Sequence, residues 1–174
     1  RSIAQTINGC ASPLAATRSC AKDDVGPGLV SQGVEVEASV SPARNVRVTG
    51  GLTYARAKFA NRLVGSGDGS VPLDTALFLL PGAINSNAPQ TVVTASAAWT
   101  PAIGTSGLSA LFYVDGRMTS GYNSGSDLFP EKYQDVYAVV NARIGLRGRD
   151  QRWAIELWAQ NIFNQDYAQV AWSS

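Results

Sequence analysis

The stretch "SQGVEVEASVSPARNVRVTGGLTYARAKF", residues 31–59, contains two runs in which residue character alternates with a period of two. In the first run one set consists of Val34, Val36, Ala38 and Val40, and the other of Glu35, Glu37 and Ser39. In the second run the two sets are Val46, Val48, Gly50, Leu52 and Tyr54 against Arg47, Thr49, Gly51 and Thr53. Successive side chains of a β-strand point to opposite faces, so this period predicts two strands with one apolar face each. The short segment "PARN", residues 42–45, is expected to join them by a tight turn.

Four further runs continue the same pattern along the chain. They are "TVVTASAAW" (91–99), "GLSALFYVDGRMT" (107–119), "DVYAVVNARIGL" (135–146) and "WAIELWAQ" (153–160). Leu111 is the apolar exception on an otherwise polar face. The sequence therefore predicts an all-β chain of about six strands, with a weaker, shorter strand ending near Ser2 to Ile7 and no helical period of useful length.

The connections between these runs alternate in length. Residues 42–45, 100–106 and 147–152 are short connections, whereas residues 60–87 and 120–132 are long ones. Short turns on one side and long loops on the other are typical of an antiparallel up-and-down transmembrane β-barrel, in which the short turns are periplasmic and the long loops extracellular. We therefore expect residues 31–167 to form a six-strand segment of a larger barrel, and residues 1–30 to be an extracellular loop region.

Aromatic residues stand near the ends of the predicted strands. Trp99 and Trp153 lie beside short connections, and Tyr54 lies at the opposite end of its strand. Because aromatic side chains are enriched at both membrane interfaces, these three residues are predicted to border an apolar band. A soluble all-β binding module would explain the alternation but neither the aromatic borders nor the alternating loop lengths.

Composition excludes several classes of function. The chain has 174 residues, a net charge of +1 and no long basic run, so nucleic acid is not an expected partner. It has no histidine, which excludes a Ser-His-Asp arrangement and the commonest metal ligand, so we expect no enzyme activity, metal or cofactor from this chain. No apolar run is long enough for a transmembrane helix, and the chain opens with Arg1-Ser2, which suggests a piece of a longer protein.

The two cysteines, Cys10 and Cys20, lie in a polar segment flanked by Gly and Pro. They form either a disulfide that closes a short surface loop or two free thiols. The disulfide is favoured, because an exposed pair this close in a loop suits an oxidising compartment.

Two stretches of the first long loop invite a ligand interpretation. "NRLVGSGDGSVPLD" (61–74) lacks both the Gly-Lys-Ser/Thr ending of a phosphate loop and the ligand series of a calcium loop, which favours a flexible surface loop. "DTALFLLPGAINSNAP" (74–89) carries apolar residues that must bury against something. They either pack against another loop or contact a ligand near its entrance.

The closing motif resembles the C-terminal region of TonB-dependent outer-membrane receptors. The matching residues are Asn141, Arg143, Gly145, Trp153, Asn161, Phe163, Asn164 and Tyr167, with Ile162 in place of the usual Leu. Upstream, the resemblance is carried by Gly33, Glu35, Glu37, Pro42, Asn45, Tyr54 and Phe59. It covers nearly the whole chain from Ser31 onward.

This resemblance implies a barrel of about 22 strands with a plugged lumen. Such receptors import scarce nutrients, most often ferric siderophores, and a TonB complex supplies energy by pulling on an N-terminal plug. The plug, the TonB-contacting segment and the final strand are absent from this sequence, so the resemblance implies the C-terminal part of a barrel in the bacterial outer membrane. A passive porin or other outer-membrane barrel is the alternative, as is a transporter for cobalamin, haem or a glycan.

Residues for ligand contact are chosen by chemistry and by expected position near the outer rim. They are Tyr113, Arg117, Tyr122 and Phe129. Arg117 would attract an anionic iron chelate, and the aromatic side chains would stack on it. The other polar residues of the strands are expected to solvate the lumen, pair across strands and hold the plug.

Overall fold

The structure is a computed structural model that describes residues 5–14, 18–149 and 152–171. In these residues the chain forms β-strands and three short 3₁₀ turns, with no α-helix. The strands are β1 (Asn8–Cys10), β2 (Val25–Pro27), β3 (Leu29–Ala43), β4 (Val46–Phe59), β5 (Leu63–Val64), β6 (Thr91–Trp99), β7 (Ala102–Ile103), β8 (Leu108–Thr119), β9 (Tyr122–Asn123), β10 (Tyr133–Gln134), β11 (Tyr137–Arg147) and β12 (Ala154–Ala159). Their pairings are antiparallel, which confirms the all-β, antiparallel prediction.

The six long strands form one sheet in the order β3-β4-β6-β8-β11-β12, with β7 added beside β8. Each of the four inner strands pairs with the long strand before it and the long strand after it, as the alternating connections predicted. We call the end of the sheet with the tight connections the short-turn end, and the opposite end, where residues 60–90 and 120–136 emerge, the long-loop end. The sheet is open, because β3 and β12 each pair with one long strand in the described residues.

The first hairpin extends further than the sequence pattern indicated. The alternation predicted a strand over residues 31–41, but β3 runs from Leu29 to Ala43. A register shift between Val40 and Ala43 marks a β-bulge, after which Ala43 pairs with Val46. The bulge takes up the residues that break the period of two, so the ladder resumes beyond it and only residues 44–45 remain as a turn.

Cross-strand register joins the apolar faces of the individual strands into one surface. Val46, Trp99, Phe112, Ile144 and Leu157 lie in a single row across five strands. Paired residues in an antiparallel ladder point to the same face of the sheet, so the apolar sets share one side, which we call the apolar face. The opposite side, which carries the Glu, Arg, Asp and Thr residues of the strands, is the polar face.

The apolar face is exposed. Val34 is 66% exposed, Ile155 67% and Leu157 69%, and every residue of β3 is exposed on either face. In a soluble protein at least one face of a sheet is normally covered, because a sheet is stabilised by packing that face against another layer. The long sheet is therefore a single layer in this structure.

Whereas Leu111 is buried in β8, most of the buried hydrophobic residues lie in the loops at the long-loop end. There, β2, β1 and β5 form a three-stranded sheet, and Leu63, Val64 and Leu80 are nearly inaccessible. Residues 1–4, which include half of the weak strand expected near Ser2 to Ile7, lie outside the described residues, and residues 5–7 are not in a strand. The first described strand is instead β1, within the region predicted to be a loop.

Across the described ranges, no helix is both long and apolar enough to cross a lipid bilayer.

Candidate functional site

The middle of the polar face is a row of hydrogen-bonded side chains. Thr49, Ser96, Asp115 and Asn141 follow one another across β4, β6, β8 and β11. The hydroxyls of Thr49 and Ser96 are 2.6 Å apart, and Asn141 Nδ2 donates to Asp115 Oδ2 at 2.8 Å. The backbone N–H of Asn161 donates to Asn141 Oδ1 at 3.0 Å, which ties this row to the segment that follows β12.

A second cluster lies closer to the short-turn end. Glu156 accepts from Arg147 Nη2 at 3.1 Å and from Arg143 Nη1 at 3.4 Å. The Arg143 guanidinium also lies 5.9 Å from the centroid of the Tyr113 ring, at a cation–π distance. These contacts join side chains of β8, β11 and β12 to one another, so the cluster stabilises the pairing of these strands.

A cavity on the polar face lies at the long-loop end and has a volume of about 580 Å³. Its walls come from β8, from β9, from the start of β11, and from two segments outside the sheet. Its lining includes Arg117, Thr119, Tyr122, Tyr137, Asn141 and Tyr167. We call this space the tyrosine cavity.

The segment after β12, residues 161–171, folds back over the tyrosine cavity. The rings of Tyr137 and Tyr167 stack with centroids 4.4 Å apart and planes 8° from parallel. Ala168 N–H donates to Gln134 Oε1 at 2.7 Å, and Ala171 N–H donates to Ser124 O at 3.2 Å. These contacts hold one wall of the cavity in place.

Tyr122 is a structural member of this wall. Its side chain is buried, and its hydroxyl donates to Ala168 O at 3.0 Å. Burial, together with the neighbouring Tyr137, raises the pKa of Tyr122 to about 12. The phenol therefore stays protonated and keeps donating its hydrogen bond throughout the physiological range.

The four residues chosen for ligand contact do not form one site. Arg117 and Tyr122 line the tyrosine cavity. Tyr113 pairs with Ala98 and Arg143 in the half of β8 nearer the short-turn end and lies apart from the tyrosine cavity. The chemistry of the side chain suggested a rim contact, but the register of β8 decides the position.

Phe129 lies in the second long loop and packs against another loop. Its ring is 6.2 Å from that of Phe78 in an edge-to-face arrangement, and Lys132 Nζ lies 5.6 Å from the ring centroid. Leu80, which belongs to the same apolar stretch as Phe78, is only 2% exposed. Of the two interpretations of residues 74–89, the structure therefore shows packing between loops.

The residues chosen from the sequence for ligand contact do not include Tyr137, Tyr167 or Thr119 of the tyrosine cavity. Tyr137 was assigned to the polar face by its parity, which placed it correctly on the sheet but not beside a cavity. Tyr167 belonged to the closing motif, and Thr119 ended a strand without any special pattern. The contact of Tyr167 with Tyr137 depends on the fold-back of residues 161–171, for which no local pattern exists.

The aromatic residues predicted at the strand borders lie at the two ends of the apolar face. Trp99 stacks on Phe112, with ring centroids 5.2 Å apart, at the short-turn end. Trp153 lies at the same end against the backbone of Gly148, where a Cβ would come within 2.2 Å of the indole Nε1. Tyr54 pairs with Thr91 at the long-loop end. All three side chains are about half exposed.

Cys10 and Cys20 are joined by a disulfide, with their Cα atoms 6.0 Å apart. The bridge closes the loop between β1 and the residues before β2, and Cys20 N–H donates to Gly69 O at 2.9 Å. It thereby ties the N-terminal segment to the first long loop.

No group of three or more His, Cys, Asp or Glu side chains in the described part of the chain is arranged to hold a metal ion. Neither a protein-family model nor a curated protein matches the sequence.

Proposed function

We propose that the six long strands form a segment of a transmembrane β-barrel in the bacterial outer membrane. We further propose that the protein acts as part of a TonB-dependent receptor in the energy-coupled uptake of a scarce nutrient, with a ferric siderophore as the first substrate class to test. The observation that carries the proposal is the apolar face, which is continuous in register across six strands and exposed.

Lipid is the environment that suits such a face. Monomeric soluble proteins rarely expose contiguous apolar patches beyond a few hundred Å². A single-layer sheet has no second layer that could cover its apolar face. In a barrel wall the same alternation puts apolar side chains toward lipid and polar side chains toward the interior. The hydrogen-bonded rows on the polar face support an interior of that kind.

The height of the apolar face supports the same placement. Val46, in the row of Trp99, and Tyr54, at the other border, are eight residues apart on β4. At about 3.3 Å per residue this is about 26 Å along the strand. A strand tilt of about 40° reduces it to about 20 Å, close to the apolar band of outer-membrane barrels.

The two outer strands of the sheet support a larger barrel. Neither β3 nor β12 has a partner on its outer edge in the described residues. Unpaired backbone groups are too costly in the hydrocarbon region, so further strands would have to complete the sheet there. Receptor function, rather than a passive pore, rests on the resemblance of the closing motif, and a TonB complex acting through a plug is the partner it implies.

The tryptophans provide a direct test of which face meets lipid. Trp153 and Trp158 lie five residues apart and, by parity, on opposite faces, while Trp99 shares the apolar face with Trp153. Variants that retain one of these three, with the other tryptophans changed to Phe, are reconstituted in vesicles containing brominated phosphatidylcholine. We expect the brominated lipid to quench Trp99 and Trp153 and to leave Trp158 bright, while water-soluble acrylamide quenches Trp158 most.

Equal quenching of Trp153 and Trp158 by the brominated lipid would rule out the proposed orientation of the sheet. The receptor part is tested separately by uptake of labelled ferric siderophores into cells with and without an intact TonB complex. Uptake that does not depend on TonB would reject the receptor in favour of a passive channel.

A further inference from the structure

The tyrosine cavity contains a buried hydroxyl that has no hydrogen-bond partner among the described residues. Thr119 is 1% exposed, and its Oγ1 makes no hydrogen bond to this part of the chain. Its backbone is held in the ladder between Val92 and Tyr137, so the side chain cannot leave the polar face. Burying a hydroxyl without a hydrogen bond costs free energy. A ligand that forms a hydrogen bond with this atom would therefore stabilise the folded protein.

A cationic group lies beside this hydroxyl. Arg117 precedes Thr119 by two residues on β8, so both side chains point to the same face and into the same cavity. The Arg117 side chain is exposed, and the ion pairs found in the described residues do not include it. Its guanidinium therefore remains able to donate several hydrogen bonds to a ligand.

Several other polar groups of the cavity already have partners. Asp115 accepts from Asn141, and Asn141 accepts from the backbone of Asn161. Tyr122 donates to the carbonyl of Ala168. Asp115 lies four residues from Thr119, about 13 Å along the strand, and two residues from Arg117, about 7 Å along it, so its negative charge is closer to Arg117 than to Thr119.

Aromatic surface completes the cavity. Tyr137 pairs directly with Thr119 across the ladder and stacks on Tyr167. A volume of about 580 Å³ is within the range of small-molecule sites. The cavity therefore combines hydrogen-bond donors with a planar apolar wall next to them.

We propose that the tyrosine cavity is a binding subsite for a small aromatic carboxylate. The carboxylate accepts a bidentate pair of hydrogen bonds from Arg117, the hydroxyl of Thr119 donates to the same group, and the ring of the ligand lies against Tyr137 and Tyr167. The inference rests on the proposed function for access from the aqueous side of the barrel. Because the Arg117 guanidinium is positively charged and can only donate hydrogen bonds, it disfavours a cationic ligand at this end of the cavity.

The test is equilibrium dialysis of labelled benzoate against the folded protein in detergent micelles, with benzamide and acetate as competitors. Benzamide keeps the ring and removes the charge, whereas acetate keeps the charge and removes the ring. We expect each to compete at least about ten-fold more weakly than unlabelled benzoate. Failure of benzoate to bind, or equal competition by either analogue, would overturn the proposal.

Substitutions locate the binding. Arg117→Gln should weaken benzoate binding at least about ten-fold, and Thr119→Val about five-fold without lowering the thermal midpoint, because valine removes the unpartnered hydroxyl and keeps the shape. Arg47→Gln, on the polar face away from the cavity, should leave binding unchanged. Benzoate binding that is insensitive to Arg117→Gln would show an adventitious site. The brominated-lipid experiment tests the orientation of the sheet and does not depend on whether benzoate binds.

Discussion

At the scale of single residues, the second long loop is organised around a buried charge. Lys132 is 8% exposed, and its Nζ lies 2.6 Å from Asp127 Oδ2. Ser124 donates to the carbonyl of Lys132 through both its hydroxyl and its backbone N–H. Because an ammonium group is expensive to bury without a counter-ion, Asp127 is the residue that permits this packing.

The Asp127 pair predicts a pH-dependent contribution to stability. Burial by itself would raise the pKa of Asp127, but hydrogen bonds from Lys132 and from the Phe129 N–H outweigh it and hold the pKa below the ordinary 3.8. A carboxyl with a lowered folded-state pKa stabilises the folded state above its unfolded pKa, and this contribution is lost as the pH falls through the folded value. We expect Asp127→Asn to cost about 1–2 kcal/mol in urea unfolding at pH 7 and much less at pH 2.5.

Asp166→Asn, at an exposed side chain of the segment after β12, is the matched control and should change the free energy of unfolding little at either pH. A cost of Asp127→Asn that is the same at both pH values would show that the carboxylate charge is not what stabilises the loop.

Residue-scale features differ in how well sequence predicts them. Asn161 and Asn164 both have φ near +49°, and the Asn161 side chain exchanges two hydrogen bonds with the backbone of Gln165. Asparagine is a residue that tolerates this conformation, so a turn at the end of the alternation was predictable. The position of Tyr113 was not predictable, because it depends on the register of β8. The cavity beside Thr119 was not predictable either, because it depends on the distant segment 161–171.

At the scale of strands, the period of two was sufficient to predict the six long strands and their faces. Because side chains alternate between the two faces of a strand, a slip of one residue in the pairing register would move every apolar side chain of that strand to the other face. The extension of β3 to Ala43 was not predictable, because a bulge interrupts the period locally and restores it afterwards.

The opposite faces of β12 should respond differently to charge. Leu157 lies in the apolar row beside Ile144, and its neighbour Trp158 lies beside Arg143 on the polar face. If the apolar face meets lipid, Leu157→Arg should lower the free energy of unfolding in vesicles by about 2–4 kcal/mol. Trp158→Arg should cost less than half as much, and urea titrations followed by the remaining tryptophans measure both.

The comparison is matched because the two positions are adjacent and more than half exposed in this sheet. Equal costs for the two substitutions would contradict a lipid-facing apolar surface, whatever their absolute size.

At the scale of the whole molecule, the sheet and the loops are stabilised in different ways. The loops at the long-loop end enclose most of the buried residues and the disulfide, whereas the long strands contribute a single layer. The loop packing joins residues that are far apart in the sequence, such as Phe78 and Phe129, and no local pattern encodes it. The connection lengths, in contrast, were enough to predict the order of the strands, since neighbouring antiparallel strands can be joined by short turns.

The outer edges of the sheet yield the prediction at this scale. Along β3, alternate backbone N–H groups point away from β4 and have no partner strand among residues 5–14, 18–149 and 152–171. If the sheet is completed in the membrane by further strands, these outward amides should exchange hydrogen as slowly as those of β4, which is paired on both sides. Hydrogen–deuterium exchange of the full protein in vesicles, resolved to single amides, measures this. Fast exchange of the outward β3 amides alongside slow exchange in β4 would show an open edge and would exclude a closed barrel, because an unpaired row of amides is not sustained in lipid.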